Sequence, residues 1–518
     1  MPPKFQPAPD FEVYARWRPL PPPIPATTTT TPTPFPTHSS NPLQNSTSFT
    51  HVFPPSSTNA DVYTHVAAPT LPAVLRGETC NFFAYGHSGS GKTHTIVGYE
   101  FGDEQGDGKG GLGLCLSAAR DLFGALERIN KGKAGIERKG DSGVGEEGEG
   151  EGARERKEGK QGVTVKGSGS GETIQKIEIE KGDAKHKEKD LAIGLRIFHL
   201  RNKLAHDLLN HNLPCHIREG PDGTTHIRGP TETLPDGKIR VRPIVSIPCW
   251  DLASLRATLL SGLANRDIGS SSVHDESSRT HAVIELEIVN RKLLDARDAL
   301  IERESELVPV GKRATDVYIA EQLASLIKLA DGRYIQNPER PINQKVIDEA
   351  EAQKRACEER VRDAERAVAA CFDGSKERCL GGKYVFVDLA GAEYFSASPS
   401  SPLSSSPSGD SAAKAKQIKQ TATEQQQGRQ INTDLFALKE VIRARAQGKG
   451  RIPYRASPLT MVLRSCFEIG RGRKEKATWE EERGGSSAMI VTLSAEEGME
   501  AATRNSLKYG ELVGSAGK

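Results

Sequence analysis

The 518-residue sequence has no apolar run long enough to span a bilayer and no basic-then-apolar leader at its start. A helical membrane protein is therefore excluded, and the cytoplasm is the expected compartment. Cysteine is sparse. The eight present lie scattered from Cys80 to Cys466 without paired or metal-like spacing, which argues against a disulfide framework and fits a reducing environment. Aromatic residues make up only 5% of the chain and form no stacking motif, so nucleic acid is a poor partner. Net charge is also nearly absent, at +2. The hydrophobic share of 36% still permits a sizeable core, because the polar excess is concentrated in identifiable loops. One domain with inserts suits this length better than two unrelated domains.

The most informative segment is Gly86-His87-Ser88-Gly89-Ser90-Gly91-Lys92-Thr93, a complete phosphate-binding loop. It follows the strand-like run Asn81-Phe82-Phe83-Ala84-Tyr85. Strand, loop and following helix are the arrangement that the chemistry needs. Backbone N–H groups close around the phosphates and the helix N-terminus adds its positive end. Lys92 is expected to reach the β/γ-phosphates and the Thr93 hydroxyl to bind Mg²⁺. Two further segments complete this reading. Tyr384-Val385-Phe386-Val387 is an unbroken apolar run, as in a strand buried on both faces, and it ends in Asp388-Leu389-Ala390-Gly391-Ala392-Glu393. A carboxylate there can hold the Mg²⁺ shell, and Gly391 can bring a backbone N–H close to a γ-phosphate. Upstream, Ser277-Ser278-Arg279-Thr280-His281 precedes the alternating strand Val283, Ile284, Leu286, Ile288. Its hydroxyls can coordinate Mg²⁺ and position a water, and Arg279 can pair with Glu393. The expected metal ligands are Thr93, Ser278 and Asp388. Taken singly, these segments read as a Gly-rich turn, a Ser-rich turn and a strand-end cap; together they point to a nucleoside triphosphate site.

The set and its order resemble the kinesin motor domain. Phe11-Glu12-Val13-Tyr14-Ala15-Arg16-Trp17-Arg18-Pro19 matches the first strand of that family, and Ile431-Asn432-Thr433-Asp434-Leu435 matches the helix after the second switch. Ile452-Pro453-Tyr454-Arg455-Ala456-Ser457-Pro458-Leu459-Thr460 is similar to the tubulin-facing loop and helix, and Ser506-Leu507-Lys508-Tyr509-Gly510 to the last helix. The resemblance implies an α/β fold of the P-loop NTPase, kinesin-motor type: a central mixed, mainly parallel sheet with helices on both faces, spanning residues 11–513 and carrying long inserts. It also implies ATP and Mg²⁺ as ligands, microtubules as partner, and adenine flanked by Arg16, Arg18, Pro19 and His94. Within the family the wording is closest to the internal-motor, microtubule-depolymerising kinesins, through Ala437 to Ala444 and Leu459 to Arg464. Their charged finger, however, corresponds here to residues 20–49, which carry no Asp, Glu, Lys or Arg. His274, Ala392 and Pro458 stand where the family usually has Asn, Ser and Lys. These departures leave a second reading open, a degenerate kinesin-like module with little turnover.

Residues 131–190 are rich in Gly, Glu and Lys with few large apolar residues, a composition that cannot bury enough surface to fold alone. Residues 291–382 read as helical. Val361, Ala364, Val368 and Phe372 recur at intervals of three and four, as do Ile319, Leu323, Leu326, Ile327 and Ala330 before Gly332. Residues 396–411, rich in Ser and Pro, read as loop. Between Ser411 and Ser465 eleven Lys or Arg face three acids, a local net of +8. Tubulin is acidic, so this strip suits a filament-binding face. Helical spacing predicts Leu435, Leu438 and Ile442 inward, and Lys439, Arg443 and Arg445 outward with Arg455 beside them.

Overall fold

The computed structural model describes residues 11–18, 48–98, 111–140, 191–201, 203–220, 223–267, 279–330, 332–373, 377–392, 422–467, 486–496 and 498–515, without side chains at 131–140 and 422–425. The chain divides into two units, residues 1–123 with 191–518, and residues 124–190. Pro19, Ser277, Ser278, Glu393, His274, the loop at 396–411 and most of the stretches at 20–49 and 131–190 lie outside the described residues.

The first part of the chain forms β1 (Phe11–Trp17), β2 (His51–Phe53), α1 (Asn59–Val66), α2 (Leu71–Val74), β3 (Thr79–Tyr85), α3 (Lys92–Ile96) and α4 (Leu114–Gly140). A strand-rich middle follows: β4 (Leu191–Arg201), β5 (Leu204–Asp207), β6 (Leu213–Glu219), β7 (Thr225–Thr233), β8 (Ile239–Pro243), β9 (Ile247–Cys249), α5 (Leu252–Asp267) and β10 (His281–Asn290). Next come α6 (Arg291–Ala324), β11 (Leu326–Lys328), β12 (Tyr334–Gln336), α7 (Gln344–Asp373) and β13 (Lys383–Asp388). The chain closes with α8 (Ala422–Ala446), α9 (Pro458–Val462), α10 (Arg464–Phe467), β14 (Ser487–Leu493) and α11 (Glu500–Gly514).

Twelve strands share one sheet, in the order β2-β1-β14-β3-β13-β10-β4-β5-β6-β7-β8, with β9 on β4. β2, β1, β14, β3 and β13 are mutually parallel, and the flank from β10 to β8 is antiparallel. The parallel strands are the apolar ones. Phe82, Phe83, Tyr384, Phe386, Met489 and Ile490 are fully buried, as expected of strands covered on both faces. This topology positions the site. In parallel sheets ligands bind beyond the carboxyl ends of the strands, and β1, β14, β3 and β13 all deliver their C-terminal residues to one edge. β10 runs antiparallel to β13 with Ala282 opposite Asp388, so its start, and the Arg279-Thr280-His281 turn, arrive at that same edge.

Residues 291–373 are two long helices between the antiparallel neighbours β10 and β13. Asn290 caps α6 by accepting the Leu293 N–H at 2.8 Å. One spacing argument fails. The helix predicted through Ala330 stops at Ala324, and Leu326 to Lys328 pair with Tyr334 to Gln336 as a β-hairpin. β-branched Ile327 pairs with Ile335 and Lys328 lies over the ring of Tyr334 opposite it, cross-strand pairs that favour a hairpin, and Gly332 supplies the positive φ of the turn. The root of the insert is held by Glu287 of β10, a buried carboxylate that takes two bonds from Arg297 of α6, at 2.7 and 3.1 Å. Burial alone would push the Glu287 pKa up. Lys383, Arg297 and Arg196 outweigh it and hold the group at about 2. Arg297→Ala removes one of three cations around a buried anion. It is expected to destabilise the fold by about 2–3 kcal/mol in denaturant titration; an unchanged midpoint would show that the insert is anchored elsewhere.

Candidate functional site

Gly91 caps α3 at φ 98°, a left-handed conformation open to glycine at little cost, and it turns the 86–91 loop so that the chain enters the helix at Lys92. Within the loop Ser90 Oγ donates to His87 O at 2.8 Å and meets Thr492 Oγ1 of β14 at 2.7 Å, which ties the loop to the sheet. Lys92 Nζ is buried and donates to two loop carbonyls, His87 O at 2.8 Å and Gly86 O at 3.2 Å. Burial pulls its pKa down to about 8, a penalty that a neighbouring polyanion would reverse.

At the end of β13, Asp388 Oδ2 accepts from the Thr93 hydroxyl at 2.8 Å. The same oxygen receives Arg266 Nη1, also at 2.8 Å. Asp388 Oδ1 is buried and, among the described residues, has no hydrogen-bond partner. A partnerless carboxylate oxygen beside a threonine hydroxyl is a hard-oxygen donor pair that fits Mg²⁺. The turn after β13 also touches the loop. A Cβ added at Gly391 would lie 2.8 Å from Ser88 N, so glycine there lets the two backbones meet. Ala392 N donates to Gly86 O at 3.2 Å.

Arg16 and Arg18 arrive from β1. Arg16 is buried, donates to Thr95 Oγ1 at 2.8 Å and has its pKa lowered to about 10 by burial. Arg18 donates to Gly89 O at 2.9 Å and pairs with Glu496 at 3.0 Å. Burial, then the charges of Arg16 and Arg18, hold His94 near pKa 4, so it is neutral at physiological pH. The structure thus brings Arg16, Arg18, Lys92, Thr93, Asp388 and Gly391 to one edge.

Arg266 is the residue that sequence reasoning missed. It is 5% exposed at the C-terminal end of α5, where a basic residue reads as an ordinary partner of the helix dipole. Instead it grips Asp388 and both oxygens of Thr280, Nε to Oγ1 at 3.0 Å and Nη2 to the carbonyl at 2.8 Å. It thereby joins the turn before β10 to the carboxylate after β13.

On α8, Leu435, Leu438 and Ile442 are buried as predicted. Arg443 is exposed, and Lys439 lies over the Phe436 ring at 4.7 Å. Phe436 itself is 59% exposed. Arg455 is exposed and grips Glu219 at 2.6 and 2.8 Å. Arg445 corrects the outward prediction. Its guanidinium turns inward to the Phe467 carbonyl, and burial lowers its pKa. Seven residues after Leu438 it falls on the buried face, which helical spacing already implied.

A family model, described as the kinesin motor domain, matches residues 27–310 and 366–515. The unmatched 311–365 lie inside the helical insert. Curated relatives include Klp61F of Drosophila melanogaster, 37% identical over 84 residues, or 16% of this chain and 8% of that protein. KIN-13B of Arabidopsis thaliana is 35% identical over 144 residues, 28% and 16% of the two chains. KIF18A of Mus musculus is 48% identical over 85 residues, 16% and 9%. The chain therefore matches under a fifth of each relative's length. A solved structure of a fast kinesin aligns over 98% of this chain and 91% of its own, at 15% identity and a TM-score of 0.47. The match of the family model over most of the sequence places the chain in the kinesin motor domain family, whose members bind nucleotide with Mg²⁺, hydrolyse ATP and engage microtubules.

Proposed function

We propose that this chain is an ATP-dependent microtubule motor domain that acts in the cytoplasm on the microtubule cytoskeleton, coupling hydrolysis to nucleotide-dependent filament binding. The observation that carries this reading is the meeting of Thr93 and Asp388 at 2.8 Å beside the buried Lys92. In this reading the loop from Gly86 through His87, Ser88, Gly89, Ser90 and Gly91 cradles the phosphates, and Lys92 neutralises the β/γ oxygens. Arg16, Arg18, Pro19 and the neutral His94 flank the adenine. Thr93, Ser278 and Asp388 hold Mg²⁺, which supplies charge neutralisation at the transferring phosphoryl group. Ser277 positions the attacking water, Gly391 senses the γ-phosphate, and Arg279 with Glu393 closes the site. Loss of the γ-phosphate releases both switches and lets α8 shift, an order–disorder mechanism.

Filament binding is assigned to the exposed face of α8 and its neighbour Arg455. Phe436 with Lys439 and Arg443 gives an aromatic and cationic surface suited to acidic tubulin. The double reversal Lys439→Glu with Arg443→Glu is expected to weaken microtubule co-sedimentation by at least tenfold and leave basal ATP turnover within about twofold, since neither residue is at the phosphate loop. Unchanged affinity would move the filament face elsewhere. Ala392 and Pro458 favour the second reading, a binding module with little turnover. Zero ATP hydrolysis with intact, nucleotide-independent filament binding would establish that alternative.

A further inference from the structure

We propose that His281 and Asp434 form a relay that carries the position of the nucleotide-sensing turn to α8. The proposal rests on the motor reading above and names positioning residues that act within it.

His281 opens β10, immediately after Arg279 and Thr280, and is 2% exposed. Its Nδ1 accepts the backbone N–H of Ala390 at 3.0 Å. Ala390 adjoins Gly391, the residue pressed against Ser88 of the phosphate loop. An imidazole whose Nδ1 accepts must carry its proton on Nε2 when neutral. Burial, together with the nearby charges of Arg266 and Lys92, keeps it neutral. The Nε2–H is therefore a buried donor, and among the described residues it has no hydrogen-bond partner. The acidic oxygen beside it is Asp434 Oδ2 of α8, 3.8 Å away. Such a gap is too long for a hydrogen bond, and closing it by under about 1 Å would make one.

Asp434 is built to receive that donor. It is 5% exposed on α8. Gln430 Nε2, one turn earlier, donates to its Oδ1 at 3.0 Å. The second oxygen faces the histidine. Both side chains line a cavity of about 20 Å³, together with Arg201, Lys203, Arg279 and Gln430 among others, so neither is locked on all sides. One imidazole thus lies between three segments: it follows Arg279 and Thr280, bonds the Ala390 backbone after β13, and faces Asp434 of α8. A small displacement of the Ala390 N–H drags the ring and makes or breaks the Asp434 contact. Packed elements switch between discrete arrangements in this way and do not deform continuously.

The test uses the full chain, a non-hydrolysable ATP analogue with Mg²⁺, and hydrogen exchange of the α8 amides from Ile431 to Ile442. In the wild type the analogue is expected to change their exchange rates by tenfold or more. Asp434→Ala should lose that response while binding the analogue with affinity within about threefold of the wild type. Asp434→Asn keeps an acceptor oxygen and should restore the response, a rescue that a space-filling role would not give. His281→Phe fills the ring volume without either polar contact and should behave like Asp434→Ala, which covers the case in which that variant fails to fold. If Asp434→Ala or His281→Phe folds, binds the analogue and keeps the full α8 response, the relay is overturned and the motor reading stands. If the wild type does not bind the analogue, the motor reading fails and the relay with it.

Discussion

Lys92→Ala should weaken ATP affinity by at least 100-fold, about 3 kcal/mol at 1.4 kcal/mol per factor of ten. The size follows from where the ammonium sits. It is nearly fully buried, and among the described residues its hydrogen bonds go to two carbonyls of the loop itself. Among the described residues no carboxylate bonds this desolvated cation, and the nearby Asp388 only partly offsets the effect of burial on its pKa. In such surroundings attraction to a polyphosphate is worth several times its value in water. Arg16 and Arg18 cannot substitute, because they are engaged with Thr95, Gly89 and Glu496 at the other end of the loop. Titration with a fluorescent ATP analogue measures the loss directly. Affinity within threefold of the wild type would remove the nucleotide from this loop.

Arg266→Ala carries the second large effect, and it should appear in stability and turnover together. Among the described residues the guanidinium makes three hydrogen bonds to Thr280 and Asp388, all in the interior. Truncation leaves the Asp388 carboxylate buried with, among the described residues, only the Thr93 hydroxyl as donor, and stranding one member of a buried pair costs about 3–5 kcal/mol. On the proposed Mg²⁺ role of Asp388, turnover should fall by a further 10–100-fold, the usual consequence of removing a group that orients a metal ligand. Arg266→Lys should recover little, because an ammonium cannot reproduce the planar fork that spans Nε, Nη1 and Nη2. Denaturant titration and steady-state hydrolysis test the two parts separately. A variant as stable as the wild type would show that the Arg266–Asp388 pair is dispensable.

Much of this site was legible because its residues obey local rules. The 86–93 loop is set by glycine spacing after an apolar strand, and Asp388 by its place at the end of a run buried on both faces. Leu435, Leu438 and Ile442 were found by helical period alone. Arg266 was not legible, since its partners are 14 and 122 residues away and only the sheet order brings them together. His281 and Asp434, 153 residues apart in the sequence, were opaque for the same reason: their proximity depends on how α8 crosses the start of β10. Arg445 was misjudged because its charge was weighed above its position on the helix. The β6–β8 ribbon, with alternating exposure and few large apolar residues, gives too weak a period to be read without its partners.

The central claim is that filament binding and the phosphate site communicate. Steady-state ATP hydrolysis by the chain, measured with and without microtubules at low salt, tests it most directly. The account predicts slow hydrolysis alone, stimulated at least tenfold by saturating microtubules, with the stimulation falling as added salt screens the α8 surface. Hydrolysis that microtubules leave unchanged at any concentration, or no hydrolysis at all, would contradict it.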